Sequence, residues 1–380
     1  MIRAVLATHM VRYPLGGNLS WALQYILGLQ RAGADLTIVE RTDYPNACFD
    51  PLANQLTDDP TSGLQIVRDL LTRHGLTDRF VFVDHSGRYH GLDEQAVHQR
   101  FADADCFIDS GNHGAWSEPA SQVPCRVLID GEPGYTQIRC VTEPARKAMI
   151  DQYNFHFSNG LLLDTEHTAA PPTGHRWRPF VNPVCPDLFE DVPPPPDGAH
   201  WSTIMNWQAH KPLEFQGRVY GQKDLSFERF KSLPQSIHAA MELAVSGQAP
   251  RDELAAMDWR IADAKAKTRT VDDYYQYIRE SLGEFSVAKH VFVEARTGWF
   301  SDRSAAYLAS GRPVILQDTG FSKVLPTGEG VFAVNNTDEA RAAIESVQSD
   351  YSRHSRAARA VAREYLDAGK VFAELLASVK

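Results

Sequence analysis

The chain has 380 residues, against a prior of roughly 150 per domain, so one small binding module is excluded and two or three domains are expected. Its composition, 43% hydrophobic and 23% charged with 25 Gly and 22 Pro, is that of a globular protein and excludes a disordered or collagen-like chain. Thirty-eight Lys and Arg against 48 Asp and Glu leave a formal charge of −10, which argues against wholesale wrapping of a polyanion and leaves room for a local basic pocket. No apolar run reaches the roughly 18 residues of a membrane span. The opening stretch, residues 1–9, reads as a strand rather than a secretory signal, so a cytoplasmic address is expected. Cys48, Cys106, Cys125, Cys140 and Cys185 form no C-x-x-C pair, and buried free thiols are expected.

The first forty residues read as strand, helix, strand. Residues 3–8 are apolar and compact, Leu15-Gly16-Gly17-Asn18 supplies a turn, and Leu19, Ala22, Ile26 and Leu29 recur at helical spacing until Gly33. Residues 36–39 resume a strand, and this order implies a parallel pair with a right-handed crossover. Further strands are predicted at 80–83, 106–108, 126–129 and 155–157. Residues 186–200, with four consecutive prolines at 193–196, break both periodicities and read as an interdomain linker. The predicted layout is therefore a domain over 1–185, the linker, a second domain over 201–354, and closing helices over 355–380 that could cross back to the first domain. In the second half, strands are predicted at 202–205, 241–245, 259–262, 313–316 and 330–334. Helices are predicted at 227–233, 271–282, 303–310 and 338–347. Two α/β halves of this kind bind ligands at the carboxyl ends of their strands, in a cleft between them.

Several residues at those strand ends suit chemistry. Gly16 and Gly17 lie where the first strand turns into the first helix; their amides suit an anion or a sugar hydroxyl, and equally a tight turn. The dinucleotide fingerprint G-x-G-x-x-G is absent, and Glu40, ending the second strand, reads as surface. His9 ends strand one with a group that titrates near neutrality, as a general base should. Asp109, in Asp109-Ser110-Gly111-Asn112-His113, and Asp130 and Glu132, in Asp130-Gly131-Glu132-Pro133-Gly134, also follow strands. Their carboxylates face the cleft or build turns. Asn206 and Trp207, in Asn206-Trp207-Gln208-Ala209-His210-Lys211, follow the first strand of the second half, with Arg218 and Lys223 in the loop beyond. A flat aromatic and cations there suit a nucleotide base and its diphosphate. Lys289 and Arg296 are further cations.

The richest segment runs from Thr297 to Leu316. Gly298, Ser301, Asp302, Arg303 and Ser304 precede and open a helix whose first amides can hold a diphosphate, and Ser310-Gly311-Arg312-Pro313 closes it into a strand. Gln317-Asp318-Thr319-Gly320 then leaves the strand, and Leu325-Pro326-Thr327-Gly328-Glu329-Gly330-Val331 returns to the sheet. This arrangement resembles the donor site of GT-B glycosyltransferases. The resemblance implies a GT-B-like α/β fold of two Rossmann-like domains facing each other across a cleft. It also implies a nucleoside-diphosphate sugar, of UDP or dTDP type, on the second domain and a hydroxyl acceptor on the first. Retaining members of that superfamily commonly place two glutamates around this helix, and the matching positions here are Gly298 and Ala306. That departure points to inversion and leaves the ribose contact to Asp302 or Ser304. With no His/Asp cluster and no D-x-D element before a plausible catalytic strand, neither a metal nor another cofactor is expected. A nucleotide-sugar epimerase of the same architecture and a non-catalytic two-lobed sugar- or nucleotide-binding protein are the alternatives. The acceptor is expected to be a small molecule or a saccharide; the acidic balance makes nucleic acid the least favoured.

Overall fold

The computed structural model describes residues 1–111, 114–209 and 211–379. Asn112, His113 and His210, which the sequence places on loops after strands, lie outside the described residues. Strands β1 (Ile2–Ala7), β2 (Ala34–Arg41), β3 (Phe80–Val83), β4 (Tyr89–Gly91), β5 (Cys106–Asp109), β6 (Cys125–Asp130), β7 (Phe155–Ser158) and β8 (Trp177–Pro179) form one sheet in the order β8, β7, β6, β5, β1, β2, β3, β4. All its pairs are parallel except β3 with β4. A second sheet holds β9 (Trp201–Asn206), β10 (Met241–Ser246), β11 (Arg260–Asp263), β12 (Gly283–Ser286), β13 (Val314–Gln317) and β14 (Val331–Val334), in the order β11, β10, β9, β12, β13, β14 and wholly parallel. In each sheet the order reverses beside the first strand, β1 or β9, which is where open α/β sheets leave a crevice. All five cysteines are free, and no described helix is long and apolar enough to cross a membrane.

Two sequence expectations are corrected, and one central strand, β12, is not foreseen in the sequence. The predicted helix at 227–233 is shorter and earlier, Lys223–Phe227, followed by turns and a single 3-10 turn at Leu233–Ser236. Phe227, Phe230 and Leu233 are fully buried at a spacing of three, which imitates a helical face, but Pro234 disfavours a helical Leu233. The central strand β12 carries Gly283, Glu284 and Ser286, residues that strands rarely choose, and its pattern shows no alternation because all four positions are buried. The last helices begin at Tyr351, four residues ahead of the predicted boundary.

The halves are packed together. The helix Gly16–Arg31 lies against the first sheet and also against Val271–Glu280 of the second half and the final helix Ala368–Ser378. Phe372 of the final helix meets Tyr25 and Phe180, ring centroids 5.3 and 5.4 Å away. The Tyr275 hydroxyl lies 3.1 Å from Ser20 Oγ and 3.0 Å from Gln24 Nε2, a buried polar contact between the halves. The proline-rich segment is held by two arginines: Arg312, 1% exposed, donates to the Pro193 carbonyl (2.8 Å), and Arg359 donates to the carbonyls of Phe189 (3.0 Å) and Val192 (2.9 Å).

Gly283 makes β12 possible, because a Cβ there would lie 2.5 Å from both the Pro313 carbonyl oxygen and the Trp201 ring. Gly283→Ala is expected to cost about 1–3 kcal/mol through forced displacement of that packing, read as a lower denaturant midpoint. An unchanged midpoint would show that the two neighbours can give way.

Candidate functional site

The carboxyl ends of both sheets open on one cleft of about 330 Å³. From the first half it is lined by His9 after β1, by Gly17, Asn18 and Trp21 on the first helix, by Gly131 and Glu132 after β6, and by Asn159 and Asn182. From the second half it is lined by Lys223, Lys289, Phe292, Trp299, Ser301, Asp302 and Arg303.

The loop that carries His9 is shaped by a residue the sequence reading placed on the surface. Glu40 is completely buried, and its carboxylate accepts the backbone N–H groups of Met10 and Val11 (2.7 Å each) and Arg12 (3.0 Å). Burial pushes this carboxyl up to about 7, against the pull of the three N–H groups and the Arg12 charge. Asn18 adds a bond from its side-chain amide to the His9 carbonyl (2.8 Å). The His9 ring lies 5.4 Å from that of Trp21, with its Nδ1 edge close against Gly111.

On the facing wall, the start of the helix Asp302–Ala309 is fixed from beneath. Arg303 donates from Nε to Glu284 (2.5 Å), from Nη1 to the Ile204 carbonyl (2.7 Å) and from Nη2 to Ser286 Oγ (2.6 Å). Ser301 caps the helix, its hydroxyl accepting the Arg303 N–H (3.2 Å). Three cations therefore gather here, with different freedoms: Arg303 is tied to the ends of β9 and β12, while Lys223 and Lys289 border open space. Burial, then the charges of Arg303 and Lys289, hold the Lys223 amine well below the ordinary lysine range. Lys289 reaches across the cleft to the Glu132 carboxylate of the other half (2.7 Å to Oε2). Burial raises the Asp302 carboxyl above its usual range even beside Arg303.

Of the residues singled out in the sequence, His9, Glu132, Gly17, Lys223, Lys289, Ser301, Asp302 and Arg303 meet in this cleft, and the others do not. Asp130 is buried and spends its carboxylate on Thr136 Oγ1 (2.6 Å), Ser158 Oγ (2.9 Å) and the Glu132 N–H (2.9 Å), so it builds the turn that presents Glu132. Asp109, also buried, accepts from the Tyr153 hydroxyl (2.6 Å) and the Gly114 N–H (2.9 Å). The Gly16 N–H is spent on the Thr268 carbonyl (2.8 Å) of the second half. Gly298 has φ +76° and packs on Leu162, where a Cβ would fall 2.9 Å from the Leu162 nitrogen, so it joins the halves. Ser304 is buried behind the helix rather than in the cleft, its hydroxyl without a partner. Trp207 packs inside the second half against Phe227 at 5.5 Å, too buried to stack on a base. Asn206 and Arg218 are exposed outside the cleft lining, Arg218 on a small antiparallel ribbon with Leu213–Phe215.

Sequence reasoning missed Trp21, Asn159 and Asn182. Trp21 lies within a helix whose other large residues are core, and the two asparagines follow strands without any motif, so no local signal separates them from turn residues.

No protein-family model matches the chain, and no curated protein does. Solved structures do match it along nearly its whole length. An alpha-glucosyltransferase in complex with UDP and a 13-mer DNA is 11% identical, covering 99% of this chain and 98% of that one at a TM-score of 0.58. HepE of Anabaena, in complex with UDP and glucose, is 11% identical over 100% of both chains at 0.54. AviGT4, a glycosyltransferase involved in avilamycin A biosynthesis, is 13% identical over 100% of this chain and 96% of that one at 0.50. The class defined by the two sheets and their shared cleft is the two-lobed α/β protein with Rossmann-like halves. Within that class the chain has the GT-B glycosyltransferase-like fold.

Glu40 links the fold to the site. Glu40→Ala leaves three buried N–H groups without an acceptor, and a loss of about 1–3 kcal/mol is expected. The folded state holds a proton on Glu40 up to about 7, whereas an unfolded glutamate releases it near 4.3. The folded chain therefore takes up that proton first, and this group's titration adds stability as pH falls from about 7 toward about 4.3. Unfolding curves across that window should show the gap between wild type and Glu40→Ala widening on acidification; a gap of constant size would contradict the assignment.

Proposed function

We propose that the protein transfers a sugar from a nucleoside-diphosphate sugar, UDP- or dTDP-linked, to a hydroxyl acceptor, with inversion and without a metal ion. The observation that carries this reading is the placement of Lys223 and Lys289 at the start of the helix Asp302–Ala309, in a cleft whose opposite wall presents His9 and Glu132. Two lysines and a helix N-terminus supply positive charge where a diphosphate would lie and where a departing nucleotide gains charge. UDP in the structures of similar fold supports the same donor chemistry. Neither Gly298 nor Ala306 offers a carboxylate to the donor, which favours direct displacement.

In that displacement the acceptor O–H gives its proton to His9. The acceptor oxygen bonds to the anomeric carbon, and the bond from that carbon to the diphosphate breaks with its electron pair leaving on the phosphate oxygen. Lys289 is paired with Glu132 until a diphosphate competes for it; donor binding then frees Glu132 beside the acceptor.

Calorimetric titration with UDP is the first test. Lys223→Met and Lys289→Met should each weaken UDP by about 10- to 100-fold, the worth of one charged hydrogen bond. Undetectable UDP and dTDP binding by the wild type would overturn the reading. Burial holds the Lys223 amine low and a diphosphate favours its charged form, so binding should raise that group's titration and take up protons where the free amine has begun to lose them, seen as a buffer-dependent enthalpy that is absent in Lys223→Met. His9→Ala should leave UDP affinity unchanged while transfer falls by about 10²- to 10⁴-fold; undiminished transfer would remove His9 as the base.

A further inference from the structure

Cys106 and Cys125 begin the neighbouring strands β5 and β6, and in the parallel ladder they are direct partners. Paired residues of a ladder project from the same face of a sheet, and both thiols sit in the core shared with the helix Gly16–Arg31, Cys106 within it and Cys125 at its margin. Their sulfurs are 3.5 Å apart, the Cys106 S–H donating to Cys125. Adjacent strands hold paired Cα atoms about 4.8 Å apart, within the roughly 4.4–6.8 Å that a disulfide spans. A bond between the two sulfurs therefore needs side-chain rotation and no parting of the strands.

The two thiols are unequal. Cys106 is 3% exposed, whereas Cys125, alone among the five cysteines, is only partly buried. The hydrogen bond from Cys106 holds the Cys125 thiol below its ordinary range against the opposing effect of burial, and the Arg126 charge adds to it. Arg126 is itself fixed, donating from Nε to the Gln152 carbonyl (2.9 Å) and from Nη1 to the Val123 carbonyl (2.8 Å). Cys48, Cys140 and Cys185 behave oppositely: burial pushes each thiol up, to about 12 for Cys48 and Cys185. A reachable sulfur that favours its thiolate, beside a buried thiol, is the arrangement of an attacking and a resolving cysteine.

We propose that Cys106 and Cys125 form a reversible oxidation site for peroxides. The Cys125 thiolate attacks one oxygen of hydrogen peroxide and the O–O bond breaks. Cys125 becomes a sulfenic acid, and the second oxygen takes up the proton released from the thiol and leaves as water. The Cys106 sulfur then attacks the sulfenic sulfur, the S–O bond breaks, and that oxygen leaves with the Cys106 proton as a second water. Two thiols are thus oxidised to one disulfide while the peroxide is reduced to two waters. The link joins residues 19 positions apart, which restricts the unfolded chain. It fastens β5 to β6 at the ends opposite the cleft, so the site stands apart from the sugar-transfer reading.

The test treats the folded full chain with hydrogen peroxide, blocks the remaining thiols, digests without reductant and maps the peptides by mass spectrometry. One linked pair is expected, Cys106 with Cys125, two hydrogens lighter than the separate peptides. Titratable thiols should fall from five to three, and dithiothreitol should restore all five. The oxidised chain should unfold at a higher denaturant concentration than the reduced one. Cys106→Ser should stop the reaction at a Cys125 sulfenic acid, captured by dimedone, and Cys125→Ser should leave Cys106 reduced. Five thiols persisting in the wild type, a link between other cysteines or between two chains, oxidation that dithiothreitol does not reverse, or no rise in the denaturant midpoint overturns the proposal. Absence of a captured sulfenic acid in folded Cys106→Ser does so too. The wild-type map needs no variant, so it stands even if either serine unfolds the chain.

Discussion

The buried pair between Arg303 and Glu284 fixes the geometry of the whole cleft. Glu284 has no solvent exposure and Arg303 little, so the pair sits in surroundings where removing one partner costs about 3–5 kcal/mol. Its guanidinium also binds the Ile204 carbonyl and Ser286, which joins the ends of β9 and β12 to the first turn of the helix Asp302–Ala309. The helix start is therefore set by the sheet beneath it rather than by its own loop. With Arg303 engaged in this way, the cations that border the open cleft are Lys223 and Lys289, the latter paired with Glu132.

The second constraint is the packing of the two halves. The helix Gly16–Arg31 belongs to the first sheet yet supports Val271–Glu280 and the final helix, so the halves share apolar core rather than meeting at a thin polar seam. The bonds from Gly16 to Thr268 and from Leu162 to the Thr297 carbonyl (3.0 Å) place backbone contacts on either side of the opening. The pair Lys289–Glu132 spans the cleft between the halves.

Much of this architecture is legible in the sequence, because alternating apolar runs and turn residues betray parallel strands and their crossovers. The segment from Ser301 to Gln317 is the clearest case: its cap, its helix and its buried strand all lie where local chemistry puts them. The rest is hidden because it depends on partners far along the chain. Nothing local marks Glu284 as buried, because its partner Arg303 lies nineteen residues on, and nothing local marks Gly283 as part of a strand, because Trp201 and the Pro313 carbonyl fill the space of its missing side chain. Glu40 reads as surface because its partners are backbone N–H groups, which carry no residue signature. Conversely, Asp109 and Asp130 follow strands as catalytic acids do, and they are consumed by neighbouring hydroxyls and turns. Strand-end position alone does not tell a carboxylate that faces a ligand from one that holds a loop.

The most direct test is a crystal structure of the chain with UDP bound. The diphosphate should lie at the first turn of the helix Asp302–Ala309 within hydrogen-bond distance of Lys223 and Lys289, with Glu132 no longer on Lys289. Nucleotide bound away from that turn, or bound there with the Lys289–Glu132 pair intact, would contradict the account.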